Sequence, residues 1–127
     1  MESMAFALSL QEVTTLVQGL AQWGGPGRPT QELAVALGWS DLSDMDNGCR
    51  RLALAVEHGE AMSALDWTRV LASTELAFAS DVFGAGYEWT TCTGLDDVST
   101  LATLRGLPVK LVSAFGPTVG VHLGRGR

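Results

Sequence analysis

The chain has 127 residues, of which 46% are hydrophobic and 17% charged. This composition is too apolar for an intrinsically disordered protein and is typical of one globular domain. Fourteen acidic residues against eight basic ones give a net charge of −6, and so acidic a protein is a poor match for nucleic-acid phosphates. With two cysteines, no membrane-length apolar run and no cationic leader segment, the sequence predicts a cytoplasmic protein with reduced thiols and no membrane contact.

The best-defined predicted element is a first helix that begins after Ser9. Ser9 and Glu12 form a capping box, in which each side chain accepts a hydrogen bond from the backbone of the other residue. Apolar residues then recur at helical spacing, namely Val13, Leu16, Val17 and Leu20. The glycine-rich segment from Gly24 to Gly27 is expected to end the helix.

Two further helices are predicted in the following segment. Thr30 caps a short helix that Gly38 closes, and Ser43 precedes a third helix that ends at His58-Gly59. The Asn47-Gly48 pair conflicts with this third helix, since a glycine costs about 1 kcal/mol in a helix interior. The conflict predicts a later start for the third helix.

A fourth helix and a loop come next. Ser63 and Asp66 repeat the capping pattern, and the apolar spacing that follows predicts a helix as far as Asp81. The segment Gly84-Ala85-Gly86 stops it. We expect the whole stretch from Gly84 to Gly94 to be a loop.

A fifth helix is predicted to begin near Leu95, with Thr93 as its cap, and to end at Gly106 and Pro108. Four of its residues are expected to face inward: Val98, Leu101, Ala102 and Leu104.

The last part of the chain changes character. Apolar residues alternate over 109–115 and again over 119–123, on either side of a Gly116-Pro117 turn. This pattern predicts a short β-hairpin or a frayed basic tail. The expected organisation is therefore a helical domain over 1–106 and a Gly-rich basic extension over 107–127. The fold class is predicted to be all-α, a small bundle of about five helices.

Few residues are suited to catalysis. His58 is expected to cap a helix C-terminus, where a cationic imidazole is favoured, and Cys49 lies on an apolar helix face. Cys92 lies in a polar loop ahead of a helix N-terminus, which lowers a thiol pKa, but no partner base is evident. The Cys and His residues do not have metal-ligand spacing. We therefore expect no catalytic, cofactor or metal site, which favours a non-catalytic protein.

The aromatic loop is the predicted functional surface. Aromatic residues among glycines and threonines are typical of protein contacts, because they bury area at low entropic cost. The predicted partner-binding residues are Asp81, Tyr87, Glu88, Trp89 and Thr90. The alternative is that Trp89 folds back as a lid over the helical core. The leading hypothesis is a non-catalytic protein-interaction module, acting as an adaptor, a regulator or an immunity-type inhibitor. Its protein partner is unknown, and a homodimer is a further expectation.

One alternative function is a transcription regulator that uses residues 30–56. The segment Gln31–Ser40 looks like the first helix and turn of a helix-turn-helix motif. The next helix, however, opens with Asp41, Asp44 and Asp46, which repel phosphates. DNA binding is therefore not the leading hypothesis.

A second alternative is a small-molecule site between the helices, with Asp81, Glu75 or Cys92 as its polar group. A raised pKa of Glu75 in a helix-buried position would favour this reading.

Overall fold

The computed structural model describes residues 3–25 and 27–115, which form six α-helices and a two-stranded antiparallel sheet. The helices are α1 (Leu10–Ala21), α2 (Gln31–Ala36), α3 (Leu42–Glu57), α4 (Ala64–Ala79), α5 (Trp89–Thr93) and α6 (Asp97–Phe115). The strands β1 (Ser3–Met4) and β2 (Met62–Ser63) have two residues each. The predicted small helical bundle is confirmed, with six helices where about five were expected. Within the described ranges, no helix has both the length and the apolar character that crossing a bilayer requires.

Helices α1 and α4 pack against each other, and each of them also packs against α3 and α6. Gly19 of α1 lies against Thr74 of α4 so closely that a Cβ atom on Gly19 would be 2.5 Å from the threonine methyl group. Only glycine allows the two helices to approach this closely. Helix α6 packs along α1 and α4 on another side, so that one face of α6 is covered by the bundle.

The capping predictions for α1, α2 and α4 are confirmed. The Ser9 hydroxyl accepts a hydrogen bond from the Glu12 backbone at 3.1 Å, and the Glu12 carboxylate accepts one from the Ser9 backbone at 2.8 Å. The Thr30 hydroxyl accepts from the Leu33 backbone, and the Ser63 hydroxyl accepts from the Asp66 backbone. These bonds satisfy backbone donors in the first turn that no intrahelical carbonyl reaches.

The predicted late start of the third helix is wrong. Helix α3 begins at Leu42, with Asp41 as its cap, and runs through Gly48 without a break. The Trp39 ring lies directly on Gly48, where a Cβ atom would come within 2.1 Å of a ring carbon. Burial of this indole against the helix backbone compensates for the low helix propensity of glycine.

The predicted end of the last helix at Gly106 and Pro108 is also wrong, as is the strand predicted over 109–115. Helix α6 continues through Pro108 to Phe115. A helical proline removes one hydrogen bond, but Leu107 and Leu111 on the inner face of α6 are buried in the core. Their burial outweighs that loss. The boundary predicted between the helical domain and the C-terminal extension, at residues 106 and 107, falls inside this helix. Residues 116–127, which include the second predicted strand, lie outside the described residues.

The stretch predicted as a loop from Gly84 to Gly94 contains a 3₁₀ turn over Gly86–Glu88 and the short helix α5. Helix α6 then begins at Asp97, where Asp96 rather than Thr93 accepts a hydrogen bond from the Ser99 backbone at 3.0 Å. Thr93 instead donates its hydroxyl hydrogen to the Trp89 carbonyl. The segment is therefore more ordered than the predicted loop.

Candidate functional site

Trp89, the centre of the predicted partner-binding surface, lies in the core with 0% exposure. Its indole nitrogen donates a hydrogen bond to the Thr100 hydroxyl at 3.0 Å. Its ring meets Phe78 edge-to-face, with centroids 5.4 Å apart. The structure thus places Trp89 as the lid over the helical core. Its assignment to a partner-binding surface is wrong, because the bundle already covers the ring.

The other four predicted residues remain at the surface. Tyr87 is 81% exposed, and its backbone N–H donates to the Asp81 carboxylate at 2.8 Å. Gly86 has a φ of +48°, and a Cβ atom there would clash with Asp81, so glycine is required in this turn. Asp81 therefore fixes the turn that presents Tyr87. Glu88 is half-buried.

Thr90 connects this segment to the last helix. The Thr90 hydroxyl lies 3.4 Å from a carboxylate oxygen of Asp97 at the start of α6. The exposed residues of the segment therefore lie beside the N-terminal end of α6, although the buried Trp89 separates them from one another along the chain.

The thiol and imidazole groups occupy separate parts of the bundle. Cys49 is buried in α3, and burial raises the pKa of its thiol to about 11, so it is protonated and a poor nucleophile. Cys92 is exposed inside α5 rather than in a loop. His58 ends α3 as predicted, with Nδ1 3.8 Å from a Glu60 oxygen. Within the described ranges, no group of three Cys, His, Asp or Glu side chains is placed to hold a metal ion.

The segment resembling a helix-turn-helix does form α2, a turn and α3. The first turn of α3 carries carboxylates, where a recognition helix presents its side chains to bases. Asp41 caps α3, and Asp44 accepts hydrogen bonds from the Ser40 backbone and hydroxyl. The nearby cations already have partners, since Arg50 pairs with Asp46. This geometry gives a DNA-binding proposal no support.

Two open clefts of about 360 and 530 Å³ flank α3, and neither is lined by Asp81, Glu75 or Cys92. A more enclosed space among the described residues is much smaller. A cavity of about 10 Å³ lies between the N-terminal segment, α1, α4 and α6, which is the space of about one water molecule. Its lining is almost wholly apolar, and neither Asp81, Glu75 nor Cys92 contributes to it. Glu75 is exposed on α4, and desolvation by neighbouring protein atoms raises the pKa of its carboxyl. The raised pKa agrees with the small-molecule reading, but the exposed position does not.

Sequence reasoning missed an exposed apolar surface on the last helix. Val98, Leu101 and Ala102, which were predicted to face inward, point outward, whereas Leu104 is buried as expected. Val109 and Val112 continue the same side of the helix. We call this surface the outer α6 face and define it by six exposed residues: Val98, Leu101, Ala102, Arg105, Val109 and Val112.

Exposure on the outer α6 face is high for aliphatic residues. Val98 is 80% exposed and Val109 is 66% exposed, and the Leu101 and Val112 side chains are about half exposed. In the sequence, these residues recur at helical spacing on both sides of Pro108. The pattern was missed because the helix was predicted to end there.

Comparison of the chain with protein-family models, with curated proteins and with solved structures gives no match, so the surface chemistry alone carries the functional argument.

Proposed function

We propose that the protein is a non-catalytic protein-interaction module and that the outer α6 face is its docking surface. The observation that carries this proposal is the row of exposed aliphatic side chains on α6, headed by Val98 and Val109. A cytoplasmic location with reduced thiols goes with the proposal, and whether the module acts as an adaptor, a regulator or an inhibitor depends on its partner.

Helix α6 has two apolar faces, and the bundle covers one of them. Thr100, Leu104, Leu107 and Leu111 pack inward and are buried. A surface helix ordinarily carries polar and charged residues on its other face. The outer α6 face instead carries Arg105 among aliphatic residues, and the exposed charges of Asp97 and Lys110 lie beside it. Contiguous exposed apolar surface of this kind marks interaction sites.

In our proposal, the exposed residues of the segment that contains Tyr87 and Thr90 extend the outer α6 face. Tyr87 is highly exposed, and the contact between Thr90 and Asp97 holds its segment next to the start of α6. We propose Tyr87, Glu88 and Thr90 as rim residues, with Asp81 as the residue that fixes the turn. Tyrosine is common at such positions because it buries area with few rotatable bonds.

The test places a photoreactive amino acid, p-benzoylphenylalanine, at Val98 and irradiates cells of the source organism. The matched control carries it at Val82, which is 69% exposed against 80% for Val98 but lies outside α6. We expect a discrete covalent adduct with one polypeptide from position 98 and not from position 82. Identical adducts at both positions, or none at position 98, would overturn the proposal.

A further inference from the structure

Resting on the proposed function, we propose that a second copy of the chain occupies the outer α6 face. The two α6 helices would lie antiparallel about a two-fold axis near Leu101. Arg105 of each copy would pair with the partner's Asp97. The protein would then be a homodimer whose interface is built from the N-terminal half of α6.

Among the described residues, Arg105 differs from the other helical cations in lacking a carboxylate partner. On α3, α4 and α6 the other cations each have an acidic partner in the same chain: Arg50, Arg51, Arg69 and Lys110. Arg105 is exposed in the middle of an apolar face and forms no ion pair with any carboxylate in the described residues. A partner that covers this face must therefore supply an acidic group or bury an unpaired cation, which is costly.

The chain itself supplies an acidic group at a position symmetric to that of Arg105. Asp97 is exposed, on the same helix, eight residues before Arg105, which is about 12 Å along the axis. In an antiparallel pair centred on Leu101, each Arg105 comes opposite the partner's Asp97, so that two identical ion pairs form. A two-fold interface requires this kind of self-complementarity.

Aliphatic side chains would lie between the two ion pairs. Leu101 would meet the partner's Leu101 at the axis, and Val98 would pack against the aliphatic stem of the partner's Arg105. The small side chain of Ala102 allows the helices to approach. Beyond Asp97 the sequence contains no further Asp or Glu. In a chain with a net charge of −6, two copies therefore repel each other least through this face.

The expected dimer is weak. A stable interface buries roughly 800 Å² on each partner, and half a helix face with a few rim residues covers less than this. We therefore expect dissociation in the micromolar range or above, and weaker association at high salt because exposed ion pairs are screened.

The experiment exchanges the two charges between copies. Sedimentation equilibrium is measured for the wild-type protein, for Arg105→Asp, for Asp97→Arg and for an equimolar mixture of the two variants. Each variant alone places like charges opposite each other, and we expect its dissociation constant to rise about tenfold or more. In the mixture, both pairs become opposite charges again, and heterodimers should form with near wild-type affinity. Circular dichroism checks that each variant is folded.

The matched control is Arg28→Asp. It changes the net charge by the same amount as Arg105→Asp, but at an exposed site outside α6. It should leave the dissociation constant nearly unchanged. A wild-type protein that stays monomeric at submillimolar concentration, or a mixture that associates no better than its components, overturns the second copy as occupant. The two proposals fail separately: a cross-link from Val98 to a different polypeptide would then keep the proposed function, whereas no cross-link would remove both.

Discussion

Tyr87 and Trp89 are two residues apart, yet the tyrosine is exposed and the tryptophan is buried. The difference follows from their polar atoms and the neighbouring backbone. The Trp89 indole nitrogen donates to Thr100 inside the bundle, so its burial leaves no unsatisfied donor. Tyr87 is held outward by the turn that Asp81 fixes through the Tyr87 backbone N–H. Composition alone does not distinguish the two, because both residues suit a contact surface and a core lid.

Substitution of Trp89 and Tyr87 should therefore affect different properties. Trp89→Ala should lower the free energy of unfolding by about 3–5 kcal/mol, and Trp89→Phe by about 1–2 kcal/mol through the lost hydrogen bond to Thr100. Tyr87→Ala should change it by less than about 0.5 kcal/mol. Urea denaturation followed by circular dichroism measures all three. Equal small losses for Trp89→Ala and Tyr87→Ala would contradict the burial of Trp89.

Two helical glycines in the bundle should respond oppositely to alanine. A Cβ atom at Gly48 would clash with the Trp39 ring, whereas one at Gly106 meets nothing within 4 Å. Gly48→Ala should therefore destabilise the protein by about 1–3 kcal/mol despite the better helix propensity of alanine. Gly106→Ala should stabilise it by up to about 1 kcal/mol. Thermal unfolding of both variants checks the signs, and stabilisation by Gly48→Ala would exclude the packing of Trp39 described above.

At the scale of elements, the starts of α1, α2 and α4 were predictable and the last helix was not. The caps Ser9, Thr30 and Ser63 act on backbone donors three residues away, so a short stretch of sequence contains the whole interaction. The continuation of α6 through Pro108 depends on burial of Leu107 against distant helices. The outer α6 face was missed for the same reason. Helix α6 has apolar residues on two sides, and packing against α1 and α4 decides which side is covered.

An ion pair joins the first helix to the last one. Lys110 on α6 donates to the Glu12 carboxylate on α1 at 2.7 Å. Burial alone would raise the pKa of Glu12, but the hydrogen bonds from Lys110 and from the Ser9 backbone outweigh it, and the pKa lies below the usual 4.5. A carboxylate with a lowered pKa contributes stability above the unfolded-state value and loses it as the pH falls through its folded-state value.

Lys110→Met should therefore destabilise the protein at pH 7 by a few tenths to about 1 kcal/mol. The difference from the wild-type protein should shrink as the pH falls below 4.5, where Glu12 becomes protonated in both proteins. Urea denaturation at a series of pH values measures this difference. If the difference in unfolding free energy between the two proteins stayed constant down to pH 3, or increased, it would contradict the role of the ion pair.

At the scale of the whole molecule, charge and apolar surface are distributed unequally. The chain is acidic overall, but its acidic residues end at Asp97, and the aliphatic residues of the outer α6 face follow directly. One side of the bundle thus combines exposed aliphatic side chains with few acidic groups, which limits repulsion of a second acidic copy. Folding and self-association would then use different faces of the same helix, with Leu107 buried on the first and Val98 exposed on the second.

The use of separate α6 faces for folding and for association predicts that the stability of the wild-type protein depends on its concentration. Because dimers form only from folded chains, mass action raises the melting temperature as the protein concentration increases. We expect a rise of a few degrees for the wild-type protein between micromolar and submillimolar concentration. Arg105→Asp should show a nearly constant melting temperature, since it removes association while its side chain lies outside the core. Calorimetry at several concentrations measures both, and a melting temperature independent of concentration in the wild-type protein would contradict coupling between folding and this interface.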